Sequence, residues 1–160
     1  MFYDKDGMLY SITKYADYPL VIPSEKINGF EDIFPGWMLL SYGKKVEVSS
    51  SVDSLPAHNM TDEDIRTYWA AESGDAGEYA ILDMGDACDV YSVQINFAEH
   101  NTDIIGREKA LYHRYTVEYS ADGAKWDLLI DKSKNETDNT HDYTQLENKV
   151  TCRYLKISNI

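Results

Sequence analysis

Two stretches of this chain gather side chains able to do chemistry. The first holds Asn59, Asp62, Asp64 and Thr67 within nine residues. A calcium ion takes several oxygens from a curved loop, mixing carboxylates with carbonyls and hydroxyls. Asp62 and Asp64 can converge on one cation, Asn59 can offer a carbonyl, and Thr67 can offer backbone and hydroxyl oxygens. Such an ion would be structural, pinning the loop and neutralising crowded carboxylates. The same residues also describe an acidic capped turn with no ion. The second stretch, residues 98–113, carries His100, Asn101, Arg107, Tyr112 and His113. Polyhydroxylated ligands need paired donors and acceptors held beside an apolar face, and this loop supplies both. It equally fits a solvated loop or one docked on a neighbouring domain. His141, Asp142 and Tyr143 form a weaker version of the same chemistry, for which structural hydrogen bonding is the default.

Catalysis is not indicated. Cleaving a glycosidic bond needs two carboxylates facing each other across it. With 28 acidic residues, some pair falls at that distance by chance, and no motif singles one out. Ser, His and Asp are all present, but without a nucleophile-elbow context. Cys88 and Cys152 are the only cysteines, so neither a CxxC pair nor a zinc site is supported. One disulfide or two free thiols are both compatible with the sequence.

The elements that position these residues read as β-structure. Tyr91, Val93, Ile95 and Phe97 alternate with Ser92, Gln94 and Asn96. Tyr115, Val117 and Tyr119 alternate with Arg114, Thr116 and Glu118. Period-two alternation marks a strand buried on one side. Ala121-Asp122-Gly123 then supplies a turn before a strand over 125–130, a hairpin signal. Further strands are expected at 46–49, 78–83, 142–146 and 152–158. Thr61 followed by Asp62, Glu63 and Asp64 predicts at most one short helical turn within 61–69. Short strands at this spacing predict an all-β sandwich or jelly roll.

Residues 1–38 differ. They hold Pro19, Pro23 and Pro35, three of the four prolines, with aromatic islands and no sustained period, as in a tail or linker packed on a neighbour. The opening MFYDKDGMLY is polar, so an export signal is expected upstream of it. No apolar run reaches membrane-span length. The net charge of −13 disfavours nucleic acid and anionic lipid surfaces as partners. Divalent cations and neutral ligands remain open. Thirteen tyrosines suit both half-buried strand faces and the gripping of sugars or proteins.

Four segments carry a family resemblance. Ser49-Ser50-Ser51 with 59–69 (NMTDEDIRTYW) resembles the opening of discoidin, or coagulation factor 5/8 type C, domains. Leu82-Asp83-Met84-Gly85 resembles their D-L-G strand end. Residues 119–126 (YSADGAKW) resemble their S-x-D-G-x-x-W hairpin, and Arg153-Tyr154-Leu155-Lys156-Ile157 their R-Y-x-K-I strand. The resemblance implies a galactose-binding-domain-like jelly roll of eight strands over 39–160, with ligand-binding loops at one end. It also implies one structural Ca2+ held by Asn59, Asp62, Asp64 and Thr67. The motif positions of Trp69 and Trp126 argue for core packing over sugar stacking.

In bacterial hydrolases such domains resemble family 32 carbohydrate-binding modules. The expected function is therefore a non-catalytic module holding a secreted hydrolase near a polysaccharide or glycan. The alternative is a structural module that packs on and stabilises its own catalytic domain. Residues 17–19 and 35–42 resemble the junction after the propeller of family 43 glycoside hydrolases, and chitobiase-like hexosaminidases are a second host. An extracytoplasmic location follows from the same resemblance. Two departures stand out. The chain stops at Ile160, before the family's usual final strand. Ala70 follows Trp69 where galactose-binding relatives often have His, which points away from galactose itself.

Overall fold

The computed structural model describes residues 2–3, 9–10, 39–98, 100 and 112–160. The chain divides into two units, Met1–Leu39 and Leu40–Ile160. In the first, β1 (Phe2–Tyr3) pairs antiparallel with β2 (Leu9–Tyr10). The proline-bearing stretch and the segments 17–19 and 35–38 lie outside the described residues.

The second unit contains β3 (Lys45–Val48), a 3-10 turn (Ala57–Met60), β4 (Tyr79–Asn96), β5 (Tyr115–Ser120), β6 (Asp127–Asp131) and β7 (His141–Asn159). The strands form one antiparallel sheet in the order β3-β4-β7-β5-β6. The described residues of this unit thus hold five strands where eight were expected. The strands expected at 78–83 and 89–97 are one continuous β4, and those at 142–146 and 152–158 are one β7. What reads as a break in the sequence is a pair of bulges, between Asp83 and Cys88 and between Val90 and Ser92. Gly85 sits in the first with φ +89°, a conformation that favours glycine.

These bulges let the two long strands fold over. Tyr115 lies opposite Asn159 in the β5–β7 register. Its hydroxyl nevertheless donates to Asp142 Oδ2 at 2.8 Å, near the other end of β7. In a straight strand residues 142 and 159 would be more than about 50 Å apart. β7 therefore doubles back, β4 follows it, and their two halves form the facing layers of a jelly-roll sandwich. Met84, Val90, Tyr115, Val117, Ile130, Cys152 and Leu155 fill the space between them.

Val117 is fully buried and Tyr115 nearly so, as the alternation of β5 requires. In β4 the second bulge changes the phase. Val90 is buried, Tyr91 is 37% exposed, and Val93 packs on the core. Tyr91 thus leaves the inward face it was expected to share with Val93 and Ile95, because a bulge adds one residue to the alternation.

The hairpin motif forms as its sequence dictates. Ser120 Oγ accepts from the Gly123 N–H at 2.8 Å, and Asp122 Oδ1 accepts from Ala124 and Lys125 at 2.9 and 3.0 Å. Gly123 has φ +75°, and an added Cβ would lie 3.5 Å from the Tyr154 ring. The helical turn expected over 61–69 is absent; the 3-10 turn precedes it and ends at Met60, with Thr61 as its C-cap. Asp62 and Asp64 accept the backbone N–H groups of Asp64 and Arg66, and Glu63 has φ +60°. Side chains that capture nearby N–H groups in this way compete with a helix.

Candidate functional site

The sandwich has two unlike ends. At one end β4 and β7 fold over through their bulges, and the β5–β6 turn lies beside them. At the other, the described ends of the connections 49–78, 97–114 and 132–140 meet, and this end is called the rim. Gly77 N–H donates to Asn159 O, Ile160 N–H to Arg114 O, and Phe97 N–H to Thr140 O, all between 2.8 and 3.1 Å.

The 97–114 connection is closed at its base. His113 lies flat on Phe97, with ring centroids 4.0 Å apart and planes 3° from parallel, and Phe97 also tilts against Tyr115. Asn135 Nδ2 donates to His113 O at 3.1 Å, tying in the 132–140 connection. His113 is therefore a packed residue at the loop's foot. His100 lies three residues beyond Phe97, and Tyr112 immediately precedes His113. Tyr68 O–H and His100 Nδ1 are hydrogen-bonded at 3.1 Å, their rings tilted with centroids 5.8 Å apart. Tyr112 is 48% exposed. Asn101 and Arg107 fall outside the described residues.

Tyr68, between Thr67 and Trp69, was not among the expected site residues. Its place is set by its neighbours. Trp69 Nε1 donates to Ser50 O at 3.1 Å, and Tyr68 O accepts from Asn59 Nδ2 at 2.9 Å. Ser49, Ser50 and Ser73 all donate hydroxyl hydrogens to the Glu78 carboxylate. Those hydroxyls, Ser49 first, hold the Glu78 pKa below the usual carboxylate range. Both Trp69 and Trp126 are half-buried outside the central cluster rather than inside it. Trp126 packs edge-on to Tyr154, with Lys156 Nζ 5.9 Å above its ring.

Beneath the rim, the buried carboxylate of Asp142 receives the Tyr115 hydroxyl and Lys132 Nζ, the latter at 3.3 Å. Burial, reinforced by Asp142, raises the Tyr115 pKa well above the ordinary phenol value. Tyr143 and His141 are exposed. His141 Nδ1 lies 3.0 Å from Asn96 Oδ1, which also accepts from Gln94 Nε2 at 3.0 Å.

The acidic loop runs alongside β3, anchored where Gly43 N–H donates to Thr61 O and Thr61 Oγ1 to Lys44 O. Its predicted ligands are brought together but engage one another. Thr67 Oγ1 bridges both Asp62 oxygens at 3.0 and 2.8 Å and approaches Asp64 O at 2.9 Å. Arg66 forks onto Asp64, Nε to Oδ1 at 2.9 Å and Nη2 to Oδ2 at 2.7 Å. These bonds, with the Arg66 backbone N–H, lower the Asp64 pKa to about 2. Asp62, Thr67 Oγ1 and Asp64 O thus lie together, while Arg66 occupies the Asp64 carboxylate, for which a cation would compete with it. Among the described residues no group of three or more His, Cys, Asp or Glu is placed to hold a metal. Nor is any helix there long and apolar enough to cross a membrane.

The folded-over strands, the Ser-Asp-Gly hairpin and the loop rim define a discoidin-type jelly-roll module. The sequence profile of the F5/8 type C domain matches residues 45–160, and the chain belongs to that family. Several solved structures share the fold. Chitosan-binding module 1 of a chitosanase/glucanase from Paenibacillus sp. IK-5 is 20% identical, with a TM-score of 0.61 over 75% of this chain and 84% of that one. CpGH89CBM32-4 from Clostridium perfringens, in complex with GlcNAc-α-1,4-galactose, is 19% identical, with a TM-score of 0.62 over 82% and 84%. The family 32 module of Clostridium perfringens NanJ, in complex with galactose, is 17% identical, with a TM-score of 0.60 over 74% and 82%. No curated protein matches the chain in sequence.

Proposed function

We propose that this F5/8 type C domain is a non-catalytic carbohydrate-binding module that seats a neutral glycan on the rim bearing Tyr68, His100 and Tyr112. The observation that carries this reading is the Tyr68–His100 hydrogen bond, which joins two loops at the open end of the sandwich. A phenol and an imidazole held together can donate to and accept from adjacent sugar hydroxyls. The exposed ring of Tyr112 offers an apolar surface for a sugar C–H face. A net charge of −13 favours a neutral glycan over an anionic one. The glycan ligands of the two Clostridium structures support the substrate class. So few contacts give weak binding, suited to keeping an attached enzyme near polymer. On this reading the parent protein is a glycoside hydrolase working outside the cytoplasm.

Affinity electrophoresis and calorimetry with chitotriose, galactose and GlcNAc-α-1,4-galactose test this. Binding of at least one is expected, with about a fivefold or larger loss in Tyr68→Ala, His100→Ala and Tyr112→Ala. Such a loss corresponds to about one hydrogen bond or one stacking contact. Retention on no glycan overturns the carbohydrate reading. Unchanged binding by all three variants moves the site off this rim.

A further inference from the structure

We propose that Cys88 and Cys152 close an intramolecular disulfide that staples the bend where β4 and β7 pass from one layer of the sandwich to the other. The two residues are direct partners in the β4–β7 register. Directly opposed residues of an antiparallel pair lie about 4.5–5.5 Å apart between Cα atoms. That range falls inside the roughly 4.4–6.8 Å in which disulfides form. Both side chains are on the inner side: Cys152 belongs to the buried cluster and Cys88 packs against it. The neighbouring pair fixes this register. Asp89, opposite Thr151, accepts from Thr151 Oγ1 at 2.6 Å and from Lys149 Nζ at 2.5 Å. Gly85 and the flanking bulges leave this corner without an unbroken ladder, so a covalent link there closes a gap in the pairing.

The order of events follows from exposure. Cys88 is half-buried, and its Sγ lies 3.4 Å from Asp86 O. Cys152 is buried, and burial, with Cys88 second, pushes its thiol up to about 11. The reactive species is the thiolate, which Cys152 scarcely forms once folded. With glutathione disulfide as oxidant, the Cys88 thiolate attacks one glutathione sulfur and expels a glutathione thiolate. The Cys152 thiolate then attacks Cys88 Sγ in the mixed disulfide and expels the second. One protein S–S bond forms, two electrons pass to glutathione, and the two thiol protons end on the two released glutathiones. Burial keeps Cys152 protonated and slows the second step in the folded protein, so the bond closes fastest while the chain folds.

Refolding the full chain in a glutathione redox buffer, followed by intact mass and thiol titration in denaturant, reads the outcome. These are the only cysteines, so an intramolecular bond is unambiguous. The expected product is a monomer lighter by two hydrogens, with no titratable thiol and a melting temperature about 10 °C above its reduced form. Cys88→Ser should show neither the mass loss nor the redox-dependent melting. When the folded, reduced protein meets glutathione disulfide, a glutathione adduct on Cys88 is expected to accumulate. Two thiols per chain after oxidative refolding, or disulfide-linked dimers alone, overturn the bond. Closure in the folded protein as fast as during refolding overturns the proposed order.

Discussion

At the fold-over end of the sandwich the backbone stays in the sheet, and its residues are judged by volume. Met84, Val90 and Cys152 are buried there between layers joined by continuous strands. At the rim the chain leaves the sheet after each strand, and its residues are judged by hydrogen bonding. Tyr68, His100, Asn135 and the serines around Glu78 are held by named donors and acceptors. The first end makes the fold, and the second is left to vary without unmaking it. Tyr115 belongs to both, its ring in the core and its hydroxyl on Asp142 below the rim.

Substitutions that respect or cross this division sharpen it. The largest effect is expected for Met84→Ala at the bend, where truncating a buried side chain costs about 3 kcal/mol. Urea denaturation measures the loss, and glycan affinity of the remaining folded protein should be unchanged. Tyr115→Phe keeps the ring and removes the hydroxyl, leaving a buried carboxylate with one partner fewer. It should cost about 1–3 kcal/mol and weaken glycan binding slightly as the loop base loosens. A Tyr115→Phe protein as stable as wild type would separate the two ends completely.

A smaller effect tests the bend by pH. Arg153 forks onto Asp83 at 2.7 and 2.8 Å and, with the Gly85 N–H, lowers the Asp83 pKa to about 2. A carboxyl whose folded pKa is depressed adds stability above its unfolded value near 4. That stability fades as pH falls through the folded value. The melting-temperature gap between wild type and Asp83→Asn should therefore be full above about pH 4 and close toward pH 2. The smallest effect concerns the acidic loop. Calcium must compete with Arg66 for Asp64, so millimolar calcium should raise the wild-type melting temperature by no more than about 1 °C. Arg66→Ala should respond more strongly, and a chelator should reverse it. Equal responses would show that Arg66 does not guard the loop.

The sequence shows the fold-over end and the rim unequally. Alternation in Tyr115–Ser120 and the Ser-Asp-Gly turn specify a one-sided strand and its hairpin, because local sterics and side-chain hydrogen bonds act within a few residues. The bulges of β4 are invisible to that logic. Tyr91 fits the pattern perfectly and still points outward, since phase is set by pairing with a strand some fifty residues away. Likewise the pairing of Cys88 with Cys152 is a fact of register, which spacing alone does not encode. At the rim, His100 and Tyr112 are legible as polar and aromatic loop residues. Tyr68 enters the proposed site only because a second loop folds against it. His113 is a polar side chain of the same loop whose ring stacks on Phe97, a contact its residue type does not announce.

Titrating isotope-labelled protein with chitotriose, galactose and GlcNAc-α-1,4-galactose, and following amide and histidine-ring NMR shifts, tests the central claim most directly. The account predicts that at least one glycan moves the Tyr68, His100 and Tyr112 resonances while those of Met84, Val90 and Cys152 stay still. No shift with any glycan, or shifts gathered at the bend instead, would contradict it.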